Sequence, residues 1–222
     1  LLSACKLTTT HTPYGGLIST THYLQNRPPL VEKPYLELPL GSIKAEGWLL
    51  EQLNFMKTGM TGNLDSIYPE VVGSRNGWLG GDGDGWERGP YWIDGLLPLA
   101  YILDDEELIE KARVWVEWTL NNQTEEGYIG PVPFEQDPEP EAGLQRGNRR
   151  DWWPKMVMLK ILQQRYMATG DDRVLDCLTR YFQFQLKELP ETPLNHWSYW
   201  ADRRGADNLL VVYWLYNITG DK

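Results

Sequence analysis

The sequence predicts an all-α protein, an (α/α)6 toroid of helical hairpins. Three observations predict it. Stretches that are apolar nearly all round alternate with amphipathic ones. Short Asp/Gly turns join each such pair. A loop dense in charge and aromatics precedes each apolar stretch. A helix that is hydrophobic all round must be covered on every side, whereas an amphipathic one covers a core from outside. Alternating the two gives an inner ring and an outer ring.

The elements follow in order. Residues 6–41 are turn-rich, with Pro13, Gly15-Gly16, Pro28-Pro29, Pro34 and Pro39, and read as a tether and extended lead-in. A helix is predicted over 42–57, with Ser42 as N-cap. Residues 58–89 read as one long irregular segment holding Gly80-Gly81-Asp82-Gly83-Asp84-Gly85, and a loop of that length is usually functional. It resembles part of a calcium loop, but it lacks a third ligand and the distal Glu, so no metal is assigned. The first inner helix spans 91–103, and its amphipathic partner spans 106–120 after the Asp104-Asp105 turn. The second pair is 152–168 and 173–187, joined by Thr169-Gly170-Asp171-Asp172. A third inner helix begins near Ala206. A six-pair barrel needs about twice this many hairpins, so the chain is expected to be about the first half of the domain. The expected layout is therefore 1–5 as the end of a signal, 6–34 as tether and lead-in, and 35–222 as the amino-terminal part of the barrel.

Composition narrows the function. Among 222 residues the formal charge is −10, which argues against a nucleic-acid partner. No apolar run reaches the length of a membrane helix. Eleven Trp and twelve Tyr stand beside only four Phe, so the aromatic excess is in rings with a polar handle. Much of it falls in the loops before the inner helices. Such rings stack on sugars while carboxylates, Arg and His bond hydroxyls. Trp92, Arg149, Asp151, Trp152, Trp197, Trp200 and Asp207 are the candidate sugar-binding residues. Glu87 and His196 are the candidate catalytic ones, since hydrolysis of a glycoside uses paired carboxyl groups. Asp151 and Asp207 also suit helix capping. Trp153 and Trp214 are assigned to the core, and Cys177 to inert packing. Leu2-Ser3-Ala4-Cys5 has the form of a bacterial lipoprotein signal end, which makes Cys5 a candidate for lipidation. A glycan substrate and a membrane anchor are thus the expected partners, at a bacterial cell envelope.

Trp86-Glu87-Arg88-Gly89-Pro90-Tyr91-Trp92, Tyr166-Met167-Ala168-Thr169-Gly170-Asp171 and Arg204-Gly205-Ala206-Asp207-Asn208-Leu209 resemble the β-L-arabinofuranosidase-like proteins, the glycoside hydrolase family 127 group, over roughly residues 35–222. The resemblance implies an exo-acting hydrolase of plant or bacterial glycans, such as those ending in arabinofuranose. It also implies a zinc-bound cysteine nucleophile in a cluster of cysteines and a glutamate from the later part of the barrel. Neither Cys5 nor Cys177 matches that cluster, so zinc would enter only through residues beyond this segment. Where many members carry a Gly-His pair, this sequence has Met156-Val157, which marks a divergent branch. Two other readings stand beside the hydrolase. One is a polysaccharide lyase or unsaturated-glucuronyl hydrolase using Arg146, Arg149 and Arg150 for a uronate. The other is a non-catalytic surface glycan-binding protein.

Overall fold

The structure, a computed structural model, describes residues 25–147 and 149–222. Among them every regular element is helical: α1 (Gly47–Thr58), α2 (Met60–Ile67), α3 (Pro69–Val72), α4 (Arg88–Leu103), α5 (Glu106–Asn121), α6 (Trp152–Thr169), α7 (Arg173–Glu188), α8 (Tyr199–Arg203) and α9 (Gly205–Thr219), with a 3-10 turn at Gly77–Leu79. None is long and apolar enough to cross a membrane. Cys5 lies outside the described residues.

The predicted alternation is present. Helix α4 packs on α5 and α6, and α6 packs on α7 and α9. The inner layer is therefore α4–α6–α9, with α5 and α7 outside. Each hairpin turns on residues suited to the left-handed region. Asp104 closes α4 at φ 57°, and Gly170 closes α6 at φ 70°. Glycine reaches that conformation without the cost a side chain adds. Asp105 caps α5 by accepting from the Leu108 N–H at 3.1 Å.

Helix α6 is the centre of the core. Met156, Met158, Leu159, Ile161 and Leu162 are sealed from solvent. Helix α4 meets it with Ile93, Leu96, Leu97 and Ala100. Neither inner helix is wholly apolar, however. Asp94 of α4 takes Lys160 Nζ at 3.0 Å and Gln164 Nε2 at 3.1 Å from α6. These groups lie along one partly exposed strip, the polar face of the inner layer.

Two expectations are corrected. The first helix starts at Gly47, not at Ser42, and Glu46 before it makes no side-chain cap. Residues 58–89 are not one irregular segment, because α2, α3 and the 3-10 turn lie inside them. Gly62 allows this: a Cβ there would stand 1.9 Å from the Lys57 carbonyl, so α2 can fold back on α1 only without a side chain. Asn63 then ties the corner by donating to the Lys57, Thr58 and Gly59 carbonyls. The described residues before α1 are fastened down. Arg27 donates to Asn217 Oδ1 and the Asn217 carbonyl at 2.9 and 2.8 Å, and Lys44 donates to the Tyr101 carbonyl at 3.2 Å. The lead-in thus touches the C-terminal ends of both α9 and α4, opposite the rim where the inner helices begin.

Candidate functional site

The rim is built from the segment before α4 and the segment between α5 and α6. The first is held by its own backbone and one arginine. Gly81 and Gly83 donate to the Asn76 and Arg75 carbonyls at 3.0 and 2.7 Å. A Cβ on Gly81 would meet the Arg75 carbonyl at 2.2 Å, so this crossing requires glycine. Arg149, buried from the opposite segment, donates to the Gly81, Gly83 and Val132 carbonyls. Its guanidinium lies 3.7 Å over the Phe134 ring. Asp84 is fully buried. It accepts from Arg88 Nε at 3.0 Å and from the Gln145 N–H at 2.9 Å.

The second segment ends at Asp151, which is fully buried and caps α6. Its Oδ1 accepts from the Trp153 N–H at 3.1 Å, and its Oδ2 accepts from the Trp86 indole at 2.8 Å. One turn on, Lys155 is buried with its Nζ donating to the Arg149 and Asp151 carbonyls at 2.9 and 3.0 Å. Burial pushes its pKa down to about 7, against the pull of Asp151. Trp153 then projects to the inner side, and its indole N–H donates to Glu87 Oε2 at 2.5 Å.

Around that pair a cluster assembles. Tyr91, one turn beyond Glu87 on α4, lies 5.9 Å from the Trp153 ring. Arg204 stands 5.0 Å over Trp153 and 5.9 Å over Trp200. Trp200 itself stacks on Tyr199 at 4.5 Å. Partial burial pushes the Tyr91 phenol upward. Arg204 opposes this, and Glu87, Asp207 and Asp94 reinforce it. Tyr91 and Trp200 remain 43% and 37% exposed, so a ligand can reach both rings. Helices α4, α6, α8 and α9 each contribute to this one place.

Of the residues expected from sequence, the structure brings Glu87, Trp200 and Asp207 together here. The others serve elsewhere. Trp92 is buried, donates to the Thr61 carbonyl at 2.8 Å and packs edge-on to Trp115. Trp152 is buried, donates to the Thr192 carbonyl at 2.8 Å, and packs against Trp197 and Phe184. Trp197 is thereby spent in packing, with exposed His196 against its edge at 4.9 Å. Arg149 and Asp151 hold the loops rather than a ligand. Trp153 is in the core, as assigned, and its indole also holds Glu87. Tyr91, Trp153 and Arg204 were missed. Tyr91 and Trp153 are each the immediate neighbour of a chosen tryptophan, and an inner helix apolar on most faces carries no phase signal to choose between them.

Two of the three arginines are already engaged, while Arg150 is exposed. Arg149 is occupied by carbonyls, and Arg146 donates to the Asp82 and Glu139 carbonyls and to Glu141. Among the described residues no set of three His, Cys, Asp or Glu side chains converges on a possible metal position. Cys177 is buried on α7, and burial pushes its thiol up to about 12, which makes it a poor metal thiolate. The residues described do not fit a zinc–cysteine centre. At the Gly-His position of the resembling family, Met156 and Val157 are both buried, so that wall is apolar here.

A sequence model of the family described as Beta-L-arabinofuranosidase, GH127 catalytic domain, matches residues 36–222. No curated protein and no solved structure matches the chain.

Proposed function

Because the chain belongs to the β-L-arabinofuranosidase GH127 catalytic-domain family, we propose that it acts on a terminal sugar of arabinofuranose type in plant or bacterial glycans. The family makes it a glycoside hydrolase of the arabinofuranosidase kind. The sugar position we assign is the Glu87–Tyr91–Trp153–Trp200–Arg204–Asp207 cluster. One observation carries this reading: exposed rings and charged groups from four helices meet at the start of the inner layer. Tyr91 and Trp200 offer faces for the sugar ring. Glu87, fixed by the Trp153 indole, accepts a hydroxyl proton, and Arg204 donates to a ring or hydroxyl oxygen. Such a mix of apolar wall and few oriented polar groups is what a small-molecule site requires. The internal pairing of Arg146 and Arg149 weighs against a uronate substrate.

The test uses full-length protein and 4-nitrophenyl β-L-arabinofuranoside. Turnover is expected, with Glu87→Gln lowering kcat/KM by about 100-fold. If wild type cleaves only uronate-containing oligosaccharides, or if Glu87→Gln is as active as wild type, the assignment fails.

Leu2-Ser3-Ala4-Cys5 supports an exported enzyme anchored through a lipid on Cys5. Cys5→Ser is expected to move the protein from the membrane fraction to the soluble one. Unchanged fractionation would refute the anchor.

A further inference from the structure

An open groove of about 400 Å3 lies between Trp86 and the segment that precedes α6. That volume lies within the range of small-molecule sites. Its walls are Trp86, Pro138, Pro140, Asp137, Glu141 and Gln145. None of the interactions assigned above to the sugar cluster uses this groove. Yet the two are joined, because Trp86 precedes Glu87 in the chain and its indole is fixed by Asp151, the cap of the helix that carries Trp153.

We propose that this groove is a second glycan subsite, taking the neutral sugar next to the one held at Glu87. This inference rests on the proposed function. The chemistry of the walls points to a sugar. An indole and two prolines supply apolar faces, and carboxylates and an amide stand around them.

The charge of the groove selects a neutral ligand. Its one cation, Arg146, is already matched by Glu141 at 3.3 Å and by Asp82 at 3.9 Å. Arg75 pairs with the same two carboxylates at 2.9 and 3.0 Å. This network is balanced, and Asp137 adds one further negative charge. A uronate would face that charge with no free cation to receive it.

Gly147 supplies the means to test the groove. It lines the groove, and a Cβ built on it meets nothing within 4 Å. A large side chain there would fill the space without straining the fold. The experiment is isothermal titration of full-length protein with L-arabinose, with neutral arabino-oligosaccharides of two to four units, and with trigalacturonate. In wild type the oligosaccharides are expected to bind more tightly than arabinose. Gly147→Trp is expected to weaken them by about tenfold and to leave arabinose unchanged. Asp137→Trp, from an exposed position on the groove wall, serves as an independent plug should the first variant misfold. Oligosaccharides no tighter than arabinose, or plugs without effect, would overturn the subsite and leave the sugar cluster standing. So would plugs that weaken arabinose equally. Tighter binding of trigalacturonate would overturn its neutral character. No binding of any sugar would overturn both readings.

Discussion

Helices α6 and α9 occupy equivalent places in the inner layer and are both strongly apolar, yet they fare differently. In α6, thirteen of eighteen residues are buried, and in α9 only three of fifteen. Helix α6 has α4 on one side, α9 on the other and α7 behind. Helix α9 has α6 beside it and α7 behind but, among the described residues, no inner helix packed on its other side. Leu209, Leu210 and Tyr213 consequently stay about half exposed. Helix α1 shows the same condition at the other edge, with Trp48 and Phe55 mostly exposed. Composition sets what a helix can bury, and its neighbours set what it does bury.

The contrast can be broken by substitution. Met156→Ala in α6 removes a side chain with no exposure and should cost about 2–5 kcal/mol, read as a large fall in Tm. Leu210→Ala in α9 should stay within about 0.5 kcal/mol. Equal effects would show that α9 is covered in solution. Asp151→Ala should cost about 2 kcal/mol, because it removes the α6 cap and leaves the Trp86 indole without its acceptor. Asp151→Asn should restore part of that loss by keeping an acceptor for the cap.

Lys155 adds an effect read through pH. Its pKa falls from 10.5 to about 7 on folding. Between those values the unfolded chain binds more protons than the folded one, so stability rises with pH across that window. The slope approaches about 1.4 kcal/mol per pH unit. Lys155→Met should flatten it, since the Arg149 carbonyl keeps the Tyr128 hydroxyl as donor. A slope surviving in that variant would assign it to another group.

Much of the fold was legible in the sequence. The pairs α4/α5 and α6/α7, their Asp104 and Gly170 turns and the Asp151 cap follow from periodicity and turn chemistry, because these signals are local. Helices α2 and α3 were not legible. They depend on Gly62 touching the Lys57 carbonyl, a contact that no period announces. The candidate site was half legible. The right loops and residue types were found, but Trp92 and Trp152 were chosen where Tyr91 and Trp153 face the inner side. An inner helix apolar on most faces has almost no amphipathic direction, so its phase cannot be read from its own residues.

The sequence alone determined the helical class, the hairpin order and the concentration of Trp, Tyr and charge at one rim, since each depends on residues close in the chain. Only the tertiary structure decided which ring faces in, which arginine is free and where Glu87 finds its partner. Those outcomes depend on contacts such as Trp153 with Glu87, made between segments far apart in sequence.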